Sequence, residues 1–437
     1  MLKQHIVCFE HERLCSASES LAAGKSLRKI PAKLFRELFS DLFHPCKTDA
    51  AQAEGWLTRD WHGKQAVLKT QHYVGVVQGR CGHTLEILPK TGKVDDAKGD
   101  NAAAEMRLML LRMLQALPNT PFKMLNQQSL IQLAKLPLLT LFVQQALASI
   151  LHVLQHGLKR DYQTSQQNTA VLRGRLLVQQ QLLHNHSNQA RFYSQHEDYV
   201  VNCPENRVLK LALDCLSKIT HSASQQQLIQ NYMRQLMCVP QSLDACQDFK
   251  LITLDRNTQH YAPALQWAKV IINGFRPAVA FGEQPAFSLL FDMNKLFENS
   301  VAQQLRQQLP DHWQLKTQQQ GATLLQVNNL PQQKLQPDVL LYNALNQAVA
   351  ILDTKWKIKI GNTFNQLKPS QQDLYQVFAY AAAYLPHGGN VCLIYPKTAQ
   401  FSGAVEQAVF HHIRDAEVHL WLLPFCLQDF KLIDAPF

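Results

Sequence analysis

The sequence predicts an α/β C-terminal domain, a mixed central sheet flanked by helices, preceded by a β-rich N-terminal domain and a mainly helical middle region. Three patterns predict it. Residues 335–358 read as a β-hairpin, in which the apolar, β-prone runs 338–342 and 348–352 flank a turn-rich gap at 343–347. Upstream, Met293, Leu296, Phe297, Val301, Leu305 and Leu309 form one broad apolar helix face. Downstream, 371–385 reads as a helix ended by Pro386 and Gly388, followed by apolar strands at 390–395 and 419–426.

The chain has 437 residues, room for two or three domains, placed at 1–100, 101–285 and 286–437. Its composition, 46% hydrophobic against 17% charged, excludes disorder. In the first segment, strands at 72–76 and 84–88 flank the turn 79–82, which suits a small barrel or sandwich. Trp56 and Trp61 precede them, and Lys64, Lys69, Arg80, Lys90 and Lys93 give a basic rim. This reads equally well as a docking or nucleic-acid surface and as core aromatics with a solvated edge.

In the middle segment Met106, Met109, Leu110, Met113, Leu114 and Leu117 share a helix face, and helices continue from 129 to a stop at Gly157. Residues 158–177 carry Lys159, Arg160 and Asp161 ahead of a polar loop of Gln and Asn, then Arg173, Gly174 and Arg175. Pro204 opens an amphipathic helix with Glu205 in its first turn. Helices follow at 225–237 and 262–272, and Gly274, Pro277, Gly282 and Pro285 mark a linker. The most apolar long segment, 136–154, starts beside Pro137 and is interrupted by Gln144 and Gln145, so it reads as a buried helix rather than a membrane span.

The N-terminus is charged throughout and has no signal-peptide pattern. Ten cysteines without a CxxC pair read as reduced, mostly buried thiols of a cytoplasmic protein, and not as a zinc site. The net charge of +10 makes nucleic acid a plausible partner. From residue 289 onward acidic and basic residues balance, so the basic excess lies upstream of the hairpin.

The hairpin carries the chemistry. Asp338 and Asp353 stand at the ends of adjacent buried strands, and Lys355, two residues on, emerges on the face of Asp353. A buried carboxylate is costly unless paired, and a divalent cation is the obvious partner. Mg2+ takes hard oxygen ligands and keeps several waters, so Asp338, Asp353 and the Thr354 carbonyl would suffice, with Glu298 from the preceding helix as a further ligand or water-holder. Lys355 would orient or help deprotonate an attacking water, or hold a phosphate. The set suits phosphodiester hydrolysis. Gln376 and Tyr380, four apart on the next helix, share one face. Plainer readings stand beside these: an ordinary surface salt bridge, a solvated Glu298, and simple helix packing.

Other schemes fit worse. Gly24, Lys25 and Ser26 end like a phosphate loop, but Glu19 stands where its first glycine belongs and no apolar strand leads in. There is no GxSxG elbow. The pairs His411–His412 and His184/His186 come without HExxH.

The Pro-Asp, spacer, Asp-x-Lys pattern resembles the PD-(D/E)xK nuclease fold, and Gln376 with Tyr380 matches the QxxxY pair that accompanies that core in several branches. Beyond about residue 80 the chain is similar to the McrC family, the nuclease subunit of the McrBC modification-dependent restriction systems. The strings carrying this are LEILPK at 85–90, GLKRDY at 157–162, LRGRL at 172–176, PENRVLK at 204–210, MNKLFE at 293–298, the hairpin, and DLYQ at 373–376. The resemblance implies a Mg2+-dependent type IV restriction endonuclease with Asp338, Asp353 and Lys355 catalytic. It implies a hexameric McrB-type AAA+ GTPase partner, docked through the N-terminal region and stimulated by this chain, with GTP bound by the partner. The implied substrate is double-stranded DNA containing 5-methylcytosine. A homodimer through the nuclease domain is left open. Two alternatives remain: a regulatory scaffold for the GTPase, and a standalone nuclease of this fold acting in DNA repair or on RNA.

Overall fold

The computed structural model describes residues 3–18, 27–41, 55–63, 65–90, 100–118, 120–124, 127–274, 287–310, 312–319, 321–327, 330–410 and 417–436. Gly24 to Ser26, Lys64, Lys93, the linker from residue 275 and the His411–His412 pair lie outside them. Two compact units form. One comprises Met1–Val77, His83–Leu136 and Leu290–Phe437; the other comprises Gln78–Gly82 and Pro137–Leu289.

The first unit holds a seven-stranded mixed sheet. In spatial order its strands are Gln314–Thr317, Val339–Tyr342, Ala348–Thr354, Gly389–Pro396, Val418–Cys426 and Val405–Phe410, with Lys431–Leu432 added to Val418–Cys426. The contacts of Gly389–Pro396 with both neighbours are parallel and the rest are antiparallel. Strands covered on both faces read as unbroken apolar runs. Val391, Cys392, Leu393, Ile394 and Tyr395 accordingly are all fully buried.

Helix Gln371–Tyr384 covers one face, where Val377, Tyr380 and Ala381 pack with Leu340, Ile351, Leu393, Leu420 and Leu422. Helix Met293–Gln308 presents Phe297 edge-on to Phe425 at 5.7 Å. Phe425 alternates out of phase with Leu420 and Leu422, which places this helix on the opposite face. Both helices start on side-chain caps: Asp292 accepts from Asn294 N at 2.9 Å, and Ser370 from Asp373 N at 3.2 Å. At Gly389, with φ of 146°, a Cβ would stand 2.5 Å from the Val349 carbonyl oxygen, so only glycine lets the chain re-enter the sheet there.

Two four-stranded sheets are built from N-terminal strands, one of them joined by a strand from residue 287 on. One runs Leu27–Ile30, Arg13–Ser16, Gln65–Thr70, Leu57–His62; the other runs His5–Phe9, Thr84–Leu88, Tyr73–Gln78, Phe287–Asp292. The expected pair around residues 79–82 is present, closed by Gly82 N donating to Gly79 O at 2.8 Å. Trp56 is buried and Trp61 is exposed. Helix Asp100–Gln115 is fastened to the second sheet by a buried ion pair. Arg107 donates from Nε to Glu86 Oε1 at 2.6 Å and from Nη2 to Oε2 at 3.0 Å, and His5 Nε2 lies 2.7 Å from the same Oε2.

The second unit is mainly helical: Leu138–His156, Val178–Asn185, Pro204–Ile219, Ala223–Gln235, Ala245–Leu251 and Ala262–Gly274. Leu138–His156 is long and apolar enough to cross a membrane by length and composition. Its Phe142, Ala146, Ile150 and Val153 are buried, and Phe142 meets Trp267 at 5.9 Å between ring centroids. Two of the strings singled out in the sequence come together here. Lys159 Nζ donates to Glu205 Oε1 at 2.8 Å, and Asn206 Nδ2 to the Lys159 carbonyl at 2.8 Å. The Tyr261 hydroxyl accepts from Lys159 N at 2.7 Å and donates to Asn206 Oδ1 at 2.8 Å.

One expectation is corrected. The polar run read as a loop is the strand Asp161–Thr169, paired antiparallel along its whole length with Phe192–Val200 and joined by Arg175–Leu176. Most of Asp161–Thr169 is exposed, so its sequence carries no apolar alternation that would announce a strand.

Candidate active site

The hairpin sits at the centre of the mixed sheet. Val339 pairs with Leu352 and Leu340 with Ile351, and the same register carried one residue further sets Asp338 opposite Asp353. The turn is built as its composition suggests. Asn343 Oδ1 accepts from Leu345 N and Gln347 N, each at 3.0 Å, and Asn346 takes the left-handed conformation with φ of 56°. Ile351 faces the helix Gln371–Tyr384, so by alternation Asp353 and Lys355 face it too.

Asp338 is half-buried, and its Oδ2 accepts from the Thr354 backbone N–H and hydroxyl, each at 2.7 Å. Asp353 is 1% exposed. Lys355 Nζ stands 2.7 Å from Asp353 Oδ2, an ion pair by distance that leaves this buried oxygen without a well-aligned donor. Lys355 Nζ donates instead to Gln376 Oε1 at 2.8 Å. Gln376 Nε2 donates to the Tyr380 hydroxyl at 2.9 Å, and that hydroxyl donates to the Gln336 carbonyl at 3.1 Å. The pair four apart on the helix therefore holds the lysine.

Glu298 is half-buried on helix Met293–Gln308, and its Oε1 accepts from Gln318 Nε2 at 2.7 Å. Gln318 in turn accepts from Gln336 Nε2 at 3.0 Å and donates its backbone N–H to the Asp338 carbonyl at 3.0 Å. Gln318 and Gln336 were not foreseen. Gln318 lies in a run of glutamines, and nothing in such a run marks one member. Asp373 pairs with Lys357, at 2.8 and 3.0 Å, and not with Lys355.

Burial raises all three carboxyl pKa values. It takes Glu298 to about 7, with the charge of Asp338 adding to it. It raises Asp338 against the opposing bonds from Thr354. Burial and then the facing Asp338 raise Asp353, against the pull of Lys355. For Lys355 burial works downward, but Asp353 outweighs it and holds the ammonium above its ordinary value. Two neighbouring carboxyls, one with a buried oxygen that lacks a well-aligned donor, and a single ammonium form a hard-oxygen donor set that fits a divalent cation. Among the described residues no three His, Cys, Asp or Glu side chains gather closely enough to hold an ion by themselves. The set is thus two aspartates, with the Thr354 carbonyl and water left to complete it.

The fold and site define a mixed α/β protein with a facing-aspartate and lysine centre on adjacent central strands. The chain belongs to the McrBC 5-methylcytosine restriction system component family, whose model matches residues 68–396 and so spans all seven residues of the predicted site. Among solved structures, a chain of the half-complex of the tetradecameric assembly of Thermococcus gammatolerans McrB AAA+ hexamers with bound McrC is similar. It superposes with a TM-score of 0.66 at 17% identity, covering 99% of this chain and 97% of its own. A chain of the cryo-EM structure of the Thermococcus gammatolerans McrBC complex gives a TM-score of 0.46 at 19% identity, covering 68% of this chain and 85% of its own. Among curated proteins none matches.

Proposed function

We propose that this chain is the McrC-like nuclease subunit of a restriction system, that its core is of the PD-(D/E)xK type, and that it cleaves DNA containing 5-methylcytosine. The observation that carries this reading is Asp338 opposite Asp353 with Lys355 ion-paired beside them. Asp338, Asp353 and the Thr354 carbonyl would hold Mg2+, and Glu298 would hold a water or fill a further ligand position. A bound Mg2+ supplies positive charge at the scissile phosphate. Lys355, pinned by Gln376 and kept charged by Asp353, would orient the attacking water or hold the scissile phosphate. Helix Gln371–Tyr384 and the strands around the site exclude bulk solvent from behind it, which strengthens these charges.

A McrB-type AAA+ GTPase hexamer is the proposed partner, supported by the likeness to the complex of McrB hexamers with bound McrC. GTP is bound by that partner. The test is Asp353→Ala, assayed for cleavage of methylated DNA with the GTPase, GTP and Mg2+. Loss of cutting with GTP turnover still stimulated is expected; undiminished cutting would overturn the assignment.

A further inference from the structure

Glu10 follows the strand His5–Phe9 and lies far from the site in sequence, yet its Oε1 accepts from Trp356 Nε1 at 2.8 Å. The same oxygen accepts from Lys90 N at 2.8 Å, and Glu10 N donates to Leu88 O at 3.0 Å. Glu10 is 1% exposed and Trp356 9% exposed. The other carboxyl oxygen, Oε2, is buried with no donor. A buried carboxyl with one oxygen unsatisfied costs stability, and an apolar side chain of the same size would pack at less expense. What a carboxyl adds is a fixed direction for the indole N–H.

Trp356 is the centre of a tight turn. Lys357 N donates to Lys355 O at 2.8 Å, closing a three-residue loop, while Lys355 N donates to Ile394 O at 2.9 Å. The backbone of Lys355 is therefore held by the sheet on one side and by the Trp356 turn on the other. The indole also stands edge-on to Phe297 at 5.4 Å, the residue before Glu298. One ring thus braces the segments that carry Lys355 and Glu298.

We infer that Glu10 is a positioning residue for Lys355: through Trp356 it fixes the turn that aims the lysine at Asp353 and Gln376. The N-terminal strand is then a working part of the site. The inference rests on the nuclease reading for its activity test and stands apart from it for its chemical test.

The experiment uses the full chain and the variants Glu10→Ala, Glu10→Gln and Trp356→Phe, each checked for folding by circular dichroism. Lysine acylation is followed by mass spectrometry, with exposed Lys250 as internal reference. Release of Lys355 in Glu10→Ala and Trp356→Phe raises its labelling rate about tenfold relative to Lys250, as expected when a buried partner network opens. Glu10→Gln keeps an acceptor oxygen and stays near wild type. An unchanged Lys355 rate in folded Trp356→Phe, which removes only the donor and part of the ring, would overturn the inference even if Glu10→Ala does not fold. In cleavage assays with the GTPase, GTP, Mg2+ and methylated DNA, kcat falls by roughly 10–100-fold with KM little changed, and Glu10→Gln restores it. Activity that falls only with the folded fraction would count against positioning. If the wild-type chain does not cut, the nuclease reading fails while the labelling result still decides this one.

Discussion

Asp338 stands one residue before Val339 and Asp353 one residue after its partner Leu352, and Asp338 Oδ2 accepts from the Thr354 backbone N–H and hydroxyl, each at 2.7 Å. Like charges directly opposite one another on a sheet are destabilising, and burial deepens the effect. Lys355, 2.7 Å from Asp353 Oδ2, offsets part of it.

Asp353→Asn should therefore make the metal-free protein more stable. The folded-state pKa of Asp353 is raised by burial and Asp338. The folded state thus binds a proton that the unfolded state has already lost, and stability falls as pH rises from about 4 toward the raised folded value. Asparagine abolishes that fall. The expected gain in Tm is small at pH 5 and about 2–6 °C at pH 8, by thermal unfolding in chelator. A variant no more stable at pH 8 than wild type would show that Lys355 already neutralises the pair.

Divalent ion binding should be coupled to proton release. Carboxyls held high by burial must ionise before they ligate, so Mg2+ affinity rises as pH passes through the region of 7, where Glu298 titrates. Calorimetry in buffers of different ionisation enthalpy would read the protons directly. The dissociation constant should be at least roughly fivefold weaker at pH 6 than at pH 8. Glu298→Gln should flatten the dependence if Glu298 joins the ion; an unaltered slope would remove it from the site.

How far the sequence could be read follows from what each feature does to residue spacing. Asp338, Asp353 and Lys355 are legible because apolar strands bracket them, and Gln376 and Tyr380 because helical spacing aligns them. Their convergence on Lys355 is what the structure adds. Gln318 leaves no trace, since one glutamine in a run of three breaks no pattern, and Gln336, between Leu335 and Pro337, falls on no periodicity that marks it. Glu10 was invisible for a different reason: its partner Trp356 is distant in sequence, and no periodicity links the two. The strand Asp161–Thr169 was misread because an exposed strand has no face to bury.

Gln376→Ala should lower kcat rather than raise KM. The amide accepts from Lys355 and donates to Tyr380, so its loss frees the lysine without touching a bound strand of DNA. In the role proposed for Lys355, misplacement of its ammonium costs roughly 10–100-fold. Tyr380→Phe loses the bond to the Gln336 carbonyl and should cost less, about threefold to tenfold. Single-turnover cleavage separates the steps. A rise in KM at unchanged kcat would place Gln376 in binding instead.

Arg107→Ala should destabilise the first unit more than any change at the site. Burial works to raise the pKa of Glu86, but the bonds from His5 and Arg107 outweigh it and hold the carboxyl below its ordinary value. A carboxyl lowered in this way contributes stability above its unfolded pKa, and that contribution is lost as pH falls. Without Arg107 the Glu86 charge is buried with His5 alone beside it, a loss of about 3–5 kcal/mol at pH 7 in urea unfolding. The gap between variant and wild type should narrow as pH falls toward 4, where Glu86 of the variant is protonated. Combining Arg107→Met with Glu86→Gln removes both charges together and should recover much of the loss. A double variant as unstable as Arg107→Ala would mean that shape, and not the uncompensated charge, sets the cost.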